Sequence, residues 1–108
     1  MDKHQLATIT MLAQLLKDRQ LEALRRAAAQ QAQTRALIAG LEAAPALDLP
    51  PVPAAQTALT YSVWADRRRS ELNRQLAAQL VELEERRSEA SLAFGRVQAL
   101  GRVAAKRK

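Results

Sequence analysis

Ala43-Ala44-Pro45-Ala46-Leu47-Asp48-Leu49-Pro50-Pro51-Val52-Pro53 is the one stretch that interrupts an otherwise helical pattern. Proline has no backbone donor and clashes with the turn before it. It also disfavours helical geometry at the preceding residue. One helix must therefore stop ahead of Pro45, and the stretch cannot be helical throughout. We read 44–53 as a stiff reversal, since proline-rich connections resist bending. Short connections between helices make antiparallel neighbours.

Upstream, the pattern predicts a helix over about 3–43. Asp2 is placed to cap it, because its carboxylate can accept from the free amides of the first turn. Leu6, Ile9, Ala13, Leu16, Ala23, Ala27, Leu37 and Leu41 follow three-and-four spacing, with Gln20, Gln30 and Thr34 as interruptions. Leu12, Leu15, Leu21 and Leu24 widen the apolar face beyond a strict two-helix seam. At 1.5 Å per residue such a helix is ~60 Å long, which suits an extended pair of helices better than a globular core.

Downstream, a second helix is expected over about 54–107, its start lying between Pro53 and Ser62. Leu72, Leu76, Leu83, Ala90, Val97 and Leu100 keep the apolar spacing, with Leu80 and Phe94 beside them. Arg67, Arg68 and Arg69 with Asp66 and Glu71 form one charged band. Glu82, Glu84, Glu85, Arg86, Arg87 and Glu89 form another, and both read as solvated faces held by pairs of opposite charge. The predicted fold class is all-α: a single-domain, long antiparallel two-helix coiled-coil hairpin over 1–108.

Composition agrees. Of 108 residues 48% are hydrophobic but only 3% aromatic, so Ala and Leu carry the apolar content. These are strong helix formers that suit narrow seams, not ring-filled cores. There is no cysteine, which excludes disulfides and thiolate metal sites. No apolar run reaches the length of a signal peptide or the ~20 residues of a membrane helix, so we expect a cytoplasmic protein.

The formal charge of +6 is unevenly placed. Residues 1–44 carry a net +2 and residues 54–108 a net +5. From Leu92 onward Arg96, Arg102, Lys106, Arg107 and Lys108 occur with no acid. Pairing from the turn would let this basic end overrun the N-terminus, and Gly95 and Gly101 would weaken it, each costing roughly 1 kcal/mol of helix relative to Ala. Such an end favours an acidic partner surface, nucleic acid or an anionic membrane.

Catalysis needs groups converging in a concave, water-poor site, and a helix pair is expected to present convex surfaces without a cavity of ligand size. His4 is the only histidine, and no phosphate loop, nucleophile motif or dinucleotide fingerprint occurs. The glutamates of 82–89 are interleaved with Arg86 and Arg87, which favours ion pairing over cation binding. We therefore expect no enzyme, no cofactor, no metal and no small-molecule substrate. Nucleic-acid binding is the alternative on charge alone, through Arg67–Arg69 and Arg102/Lys106–Lys108. Against it, the basic groups are split, acids accompany the first, and no zipper follows a basic region. What remains is action through shape. Apolar residues outside a single seam, such as Leu12, Leu15 and Leu80, suit a homodimerising adaptor or docking onto other proteins.

In this organisation the chain resembles the FliJ family of flagellar export proteins and their relatives in virulence type III secretion. The residues that carry the resemblance are Tyr61 and Trp64 soon after the turn and Ala93-Phe94-Gly95-Arg96 in the closing segment. The resemblance implies a non-catalytic stalk and adaptor, cytoplasmic and peripheral to the inner-membrane export apparatus. Its paired termini (Met1–Leu16 with Leu92–Lys108) would enter the export ATPase hexamer through Leu6, Ile9, Phe94, Arg96, Val97, Arg102, Lys106 and Arg107. The part over Leu41–Arg69 would face the export-gate membrane protein and the export chaperones through Tyr61, Trp64, Arg67 and Arg68.

Overall fold

A computed structural model describes residues 1–42 and 51–107 of the chain. It is an all-α helical hairpin of two helices, α1 (Lys3–Gly40) and α2 (Pro51–Lys106), and no strand occurs among the described residues. α1 opens on the expected cap. Asp2 Oδ1 accepts from the Gln5 amide at 2.7 Å, while the Asp2 amide donates to Gln5 Oε1 at 3.1 Å. This reciprocal pair satisfies amides that the first turn leaves without acceptors.

The helix limits correct the sequence reading at the reversal. α1 ends at Gly40 rather than near 43, and its exit is tightened by bonds from Leu41 to Ile38 (3.1 Å) and from Glu42 to Ala39 (3.2 Å). α2 begins at Pro51, not near 54. Pro51 and Pro53 fit there because first-turn amides lack intrahelical acceptors, so a missing donor costs nothing. The expected reversal at 44–53 thus gives 51–53 to α2, and residues 43–50 lie outside the described residues.

The chain comprises two compact units. The first comprises Met1–Ala29 and Val81–Lys108. Its two helical segments are antiparallel: Arg107 donates to the Met1 carbonyl, and the Lys17 ammonium lies 5.7 Å from the centroid of Phe94. Leu6, Ala13, Ala27, Leu83, Ala90 and Ala93 are buried there. The basic end of α2 does not overrun the N-terminus, since Arg107 lies level with Met1. The extra length of α2 sits at its start, which begins earlier than expected.

The second unit is Gln30–Leu80. Leu41, Ala65 and Leu72 form its core, with Ile38 and Tyr61 packed against them. The Tyr61 hydroxyl donates to the Leu41 carbonyl at 3.1 Å, closing one of the acceptors left open where α1 ends. Thr34 is buried, but its hydroxyl donates to the Gln30 carbonyl at 3.1 Å one turn back.

Burial recurs at intervals of seven residues along each helix, the spacing that keeps a seam facing its partner. On α1 the series is Leu6, Ala13, Gln20, Ala27, Thr34 and Leu41, alternating with half-buried Thr10, Lys17, Leu24, Gln31 and Ile38. On α2 the residues expected to be apolar and inward, Leu72 to Leu100, are buried or half-buried as read. On α1 the reading is corrected: Ile9, Leu16 and Leu37 are exposed, and Gln20 and Thr34 lie in the seam. Each misplaced apolar residue directly precedes the inward position, which at two of the three is polar: Thr10 after Ile9, Lys17 after Leu16, and Ile38 after Leu37.

The charged bands are solvated as expected. Arg68–Glu71 (3.3 Å), Arg69–Asp66 (3.0 Å), Arg86–Glu89 (3.3 Å) and Arg87–Glu84 (2.6 Å) are pairs one turn apart. On α1, a hydrogen bond from the Arg25 guanidinium holds the exposed Glu22 carboxyl well below the usual carboxylate range, at about 2.

Two stability outcomes follow from the seam. Leu72, only 1% exposed, should cost about 2–5 kcal/mol on replacement by Ala, read as a lowered urea midpoint by circular dichroism. The Gln79 side-chain oxygen is buried without a hydrogen-bond partner among the described residues. Gln79→Leu should therefore raise stability, by about 1 kcal/mol, in the same assay.

Candidate docking surface at the paired termini

The first unit carries an open groove of about 720 Å³ lined by Lys3, Leu6, Ala7, Thr10, Met11, Ala104 and Arg107. Its origin is local. α1 places Ala7 one position after seam residue Leu6, and α2 brings Ala104 to the opposite wall, so small side chains leave a hollow between the helices. Gly101, one turn before Ala104, adds no side chain, and a Cβ built on it would meet nothing within 4 Å. The convex surface expected from the sequence is therefore interrupted here. The floor is apolar, Met11 stands exposed beside it, and the rim carries the cations of Lys3 and Arg107.

The residues assigned by resemblance to an ATPase-facing end all fall in this first unit, but they differ in access. Leu6 is buried in the seam and reaches solvent only at the groove, and Val97 is half-buried, so both present little surface. Ile9 and Phe94 are exposed, the Phe94 ring partly screened by Lys17. Arg96, Arg102, Lys106 and Arg107 are exposed and form no ion pair among the described residues, in contrast to Arg68, Arg69, Arg86 and Arg87 of the charged bands. An unpaired guanidinium keeps its donors available for a carboxylate on a partner.

The residues assigned to a gate- or chaperone-facing part all fall in the second unit. Tyr61 is half-buried and its hydroxyl is committed to Leu41, so it serves the fold. Trp64 is 53% exposed, with its ring centroid 5.6 Å from that of Tyr61. Arg67 is exposed, whereas Arg68 is half-buried and paired with Glu71. A shallow depression lined by Gln56, Thr57, Thr60, Tyr61 and Trp64 lies beside them.

Sequence reasoning missed Lys3, Ala7, Met11 and Ala104. The signal was present as small residues flanking the seam near both termini, but it becomes a groove only once the antiparallel register is known. Among the described residues no group of three His, Asp or Glu side chains could hold a metal ion, and no helix is long and apolar enough to cross a membrane.

Replacing Met11 by Glu should leave the helix content unchanged, because the side chain is 61% exposed, and should close the groove to apolar probes. The readout is the fluorescence of an added hydrophobic dye, bright with the native chain and dim with the variant.

Compared with known proteins, the chain matches no family model, no curated protein and no solved structure.

Proposed function

We propose that this protein is a non-catalytic coiled-coil stalk or adaptor that works by docking the paired termini of its first unit into a larger protein assembly. The observation that carries the reading is the apolar groove rimmed by Lys3 and Arg107, in the same unit as three further exposed cations, Arg96, Arg102 and Lys106, that have no ion-pair partner among the described residues. Apolar contact supplies affinity, and unpaired cations select an acidic surface and speed encounter with it.

The resemblance to FliJ proteins supplies the identity of that assembly in this proposal: the flagellar or a related type III export apparatus, at the cytoplasmic side of the inner membrane. The export ATPase hexamer would receive the terminal end, while the export-gate protein and export chaperones would meet exposed Trp64 and Arg67 of the second unit.

The test is hydrolysis by the purified export ATPase with the full chain added at substoichiometric amounts. The expected result is stimulation that Arg102→Glu with Lys106→Glu abolishes, with circular dichroism unchanged. Trp64→Ala should leave stimulation intact. Absence of both binding and stimulation would contradict the export reading.

A further inference from the structure

Several large apolar side chains of the first unit lie outside its seam. The seam holds Leu6 and Leu83 beside the small or polar residues Ala13, Gln20, Ala27, Ala90 and Ala93, while Ile9, Leu12, Leu16, Leu92 and Val103 are exposed. These five are not scattered. Ile9, Leu12 and Leu16 recur at three- and four-residue steps, which places them on one flank of α1. Leu92 and Val103 are eleven residues apart, three turns, and so share one face of α2. Leu16 and Leu92 line the same groove with Gln20, Glu89, Ala93 and Arg96, so the two strips join across the helix pair.

The face of α2 that carries this strip reads, outward from the helix pair, Glu89, Leu92, Arg96, Ala99, Val103 and Lys106. This series is complementary to itself when reversed about a point between Arg96 and Ala99. Glu89 then meets Lys106, Leu92 meets Val103, and the Arg96 stem lies over Ala99. A second copy turned by a twofold axis presents that reversed series, and each contact occurs twice. Lys106 has no ion-pair partner of its own among the described residues. Glu89 is bonded to Arg86 on its own helix at 3.3 Å, yet its side chain keeps 49% of its surface open to a second cation.

We propose that the occupant of this flank is a second copy of the chain, giving a twofold dimer in which the two α2 helices lie antiparallel across Leu92 and Val103. Ile9, Leu12 and Leu16 widen the contact on both sides. The proposal does not depend on which partner the terminal groove engages. Under the export reading, dimer and export ATPase compete for Ile9, Arg96 and Lys106, so partner binding would release the monomer.

Sedimentation equilibrium of the full chain should show a reversible monomer–dimer equilibrium at micromolar concentration. Leu92→Glu should abolish the dimer. Lys106→Glu and Glu89→Lys should each raise the dimer Kd by roughly tenfold, since each places two like-charge contacts in the interface. The double reversal should bring Kd back to within about threefold of the native value. Because the chain contains no cysteine, Ala99→Cys introduces a unique thiol, and mild oxidation should link two such chains efficiently. Gln98→Cys, one step round the helix, should link poorly. Helix content by circular dichroism separates loss of pairing from loss of fold, and the cysteine variants decide the matter where a charge variant unfolds. A monomer at every concentration would overturn the proposal. So would a dimer insensitive to Leu92→Glu, one not rescued by the double reversal, or one that crosslinks through position 98 rather than 99.

Discussion

Everything in this structure depends on a seam of seven-residue spacing made from unusually small and polar side chains. α1 meets α2 through Ala13, Gln20, Ala27 and Thr34, with few large hydrophobes among them. Small side chains bring helix backbones close and bury little area per contact. The consequence is twofold: the pair is held by many modest contacts around a few buried leucines such as Leu6, Leu72 and Leu83, and many other large apolar side chains stand outside the seam. Stability and binding surface are thereby separated, the first assigned to the seam and the second to exposed leucines.

Polar seam residues bear on specificity of register. Thr34 satisfies itself against the carbonyl one turn back, and Lys17 turns its ammonium over Phe94 while its stem packs in the seam. Gln20 and Gln79 are left with buried oxygens lacking partners, which costs stability. A register shift of one residue would place Ile9 or Leu16 inward in place of Thr10 or Lys17, so apolar content alone would favour a different alignment. Each unit is thus held by the fit of its seam residues and by specific end contacts. Those contacts are the Asp2–Gln5 capping pair, the Arg107 contact to Met1 and the Tyr61 bond to Leu41.

Much of the fold is legible in the residues themselves, and the exceptions have physical causes. The proline cluster separates the helices, Asp2 announces the first cap, and α2 shows its inward stripe because its seam positions are apolar. α1 misleads because Ile9, Leu16 and Leu37 each stand one residue before the inward position, so apolar periodicity follows the flank. The early start of α2 is hidden because proline is disruptive inside a helix yet harmless in its first turn. That shift moves the surplus length of α2 away from its basic end, which ends beside Met1. The docking groove is hardest to read, since it arises from absent volume at Ala7 and Ala104, and absence acquires meaning only when two distant segments are brought together.

The pairing of Met1–Ala29 with Val81–Lys108 underlies both the docking surface and the self-association proposed from it. Spin labels at Thr8 and Ala105, both exposed, test it directly through a pulsed electron spin distance measurement. The account predicts one short, narrow distance that persists when labelled chains are diluted with unlabelled ones. A long or broad distribution, or a short distance that vanishes on dilution, would contradict it.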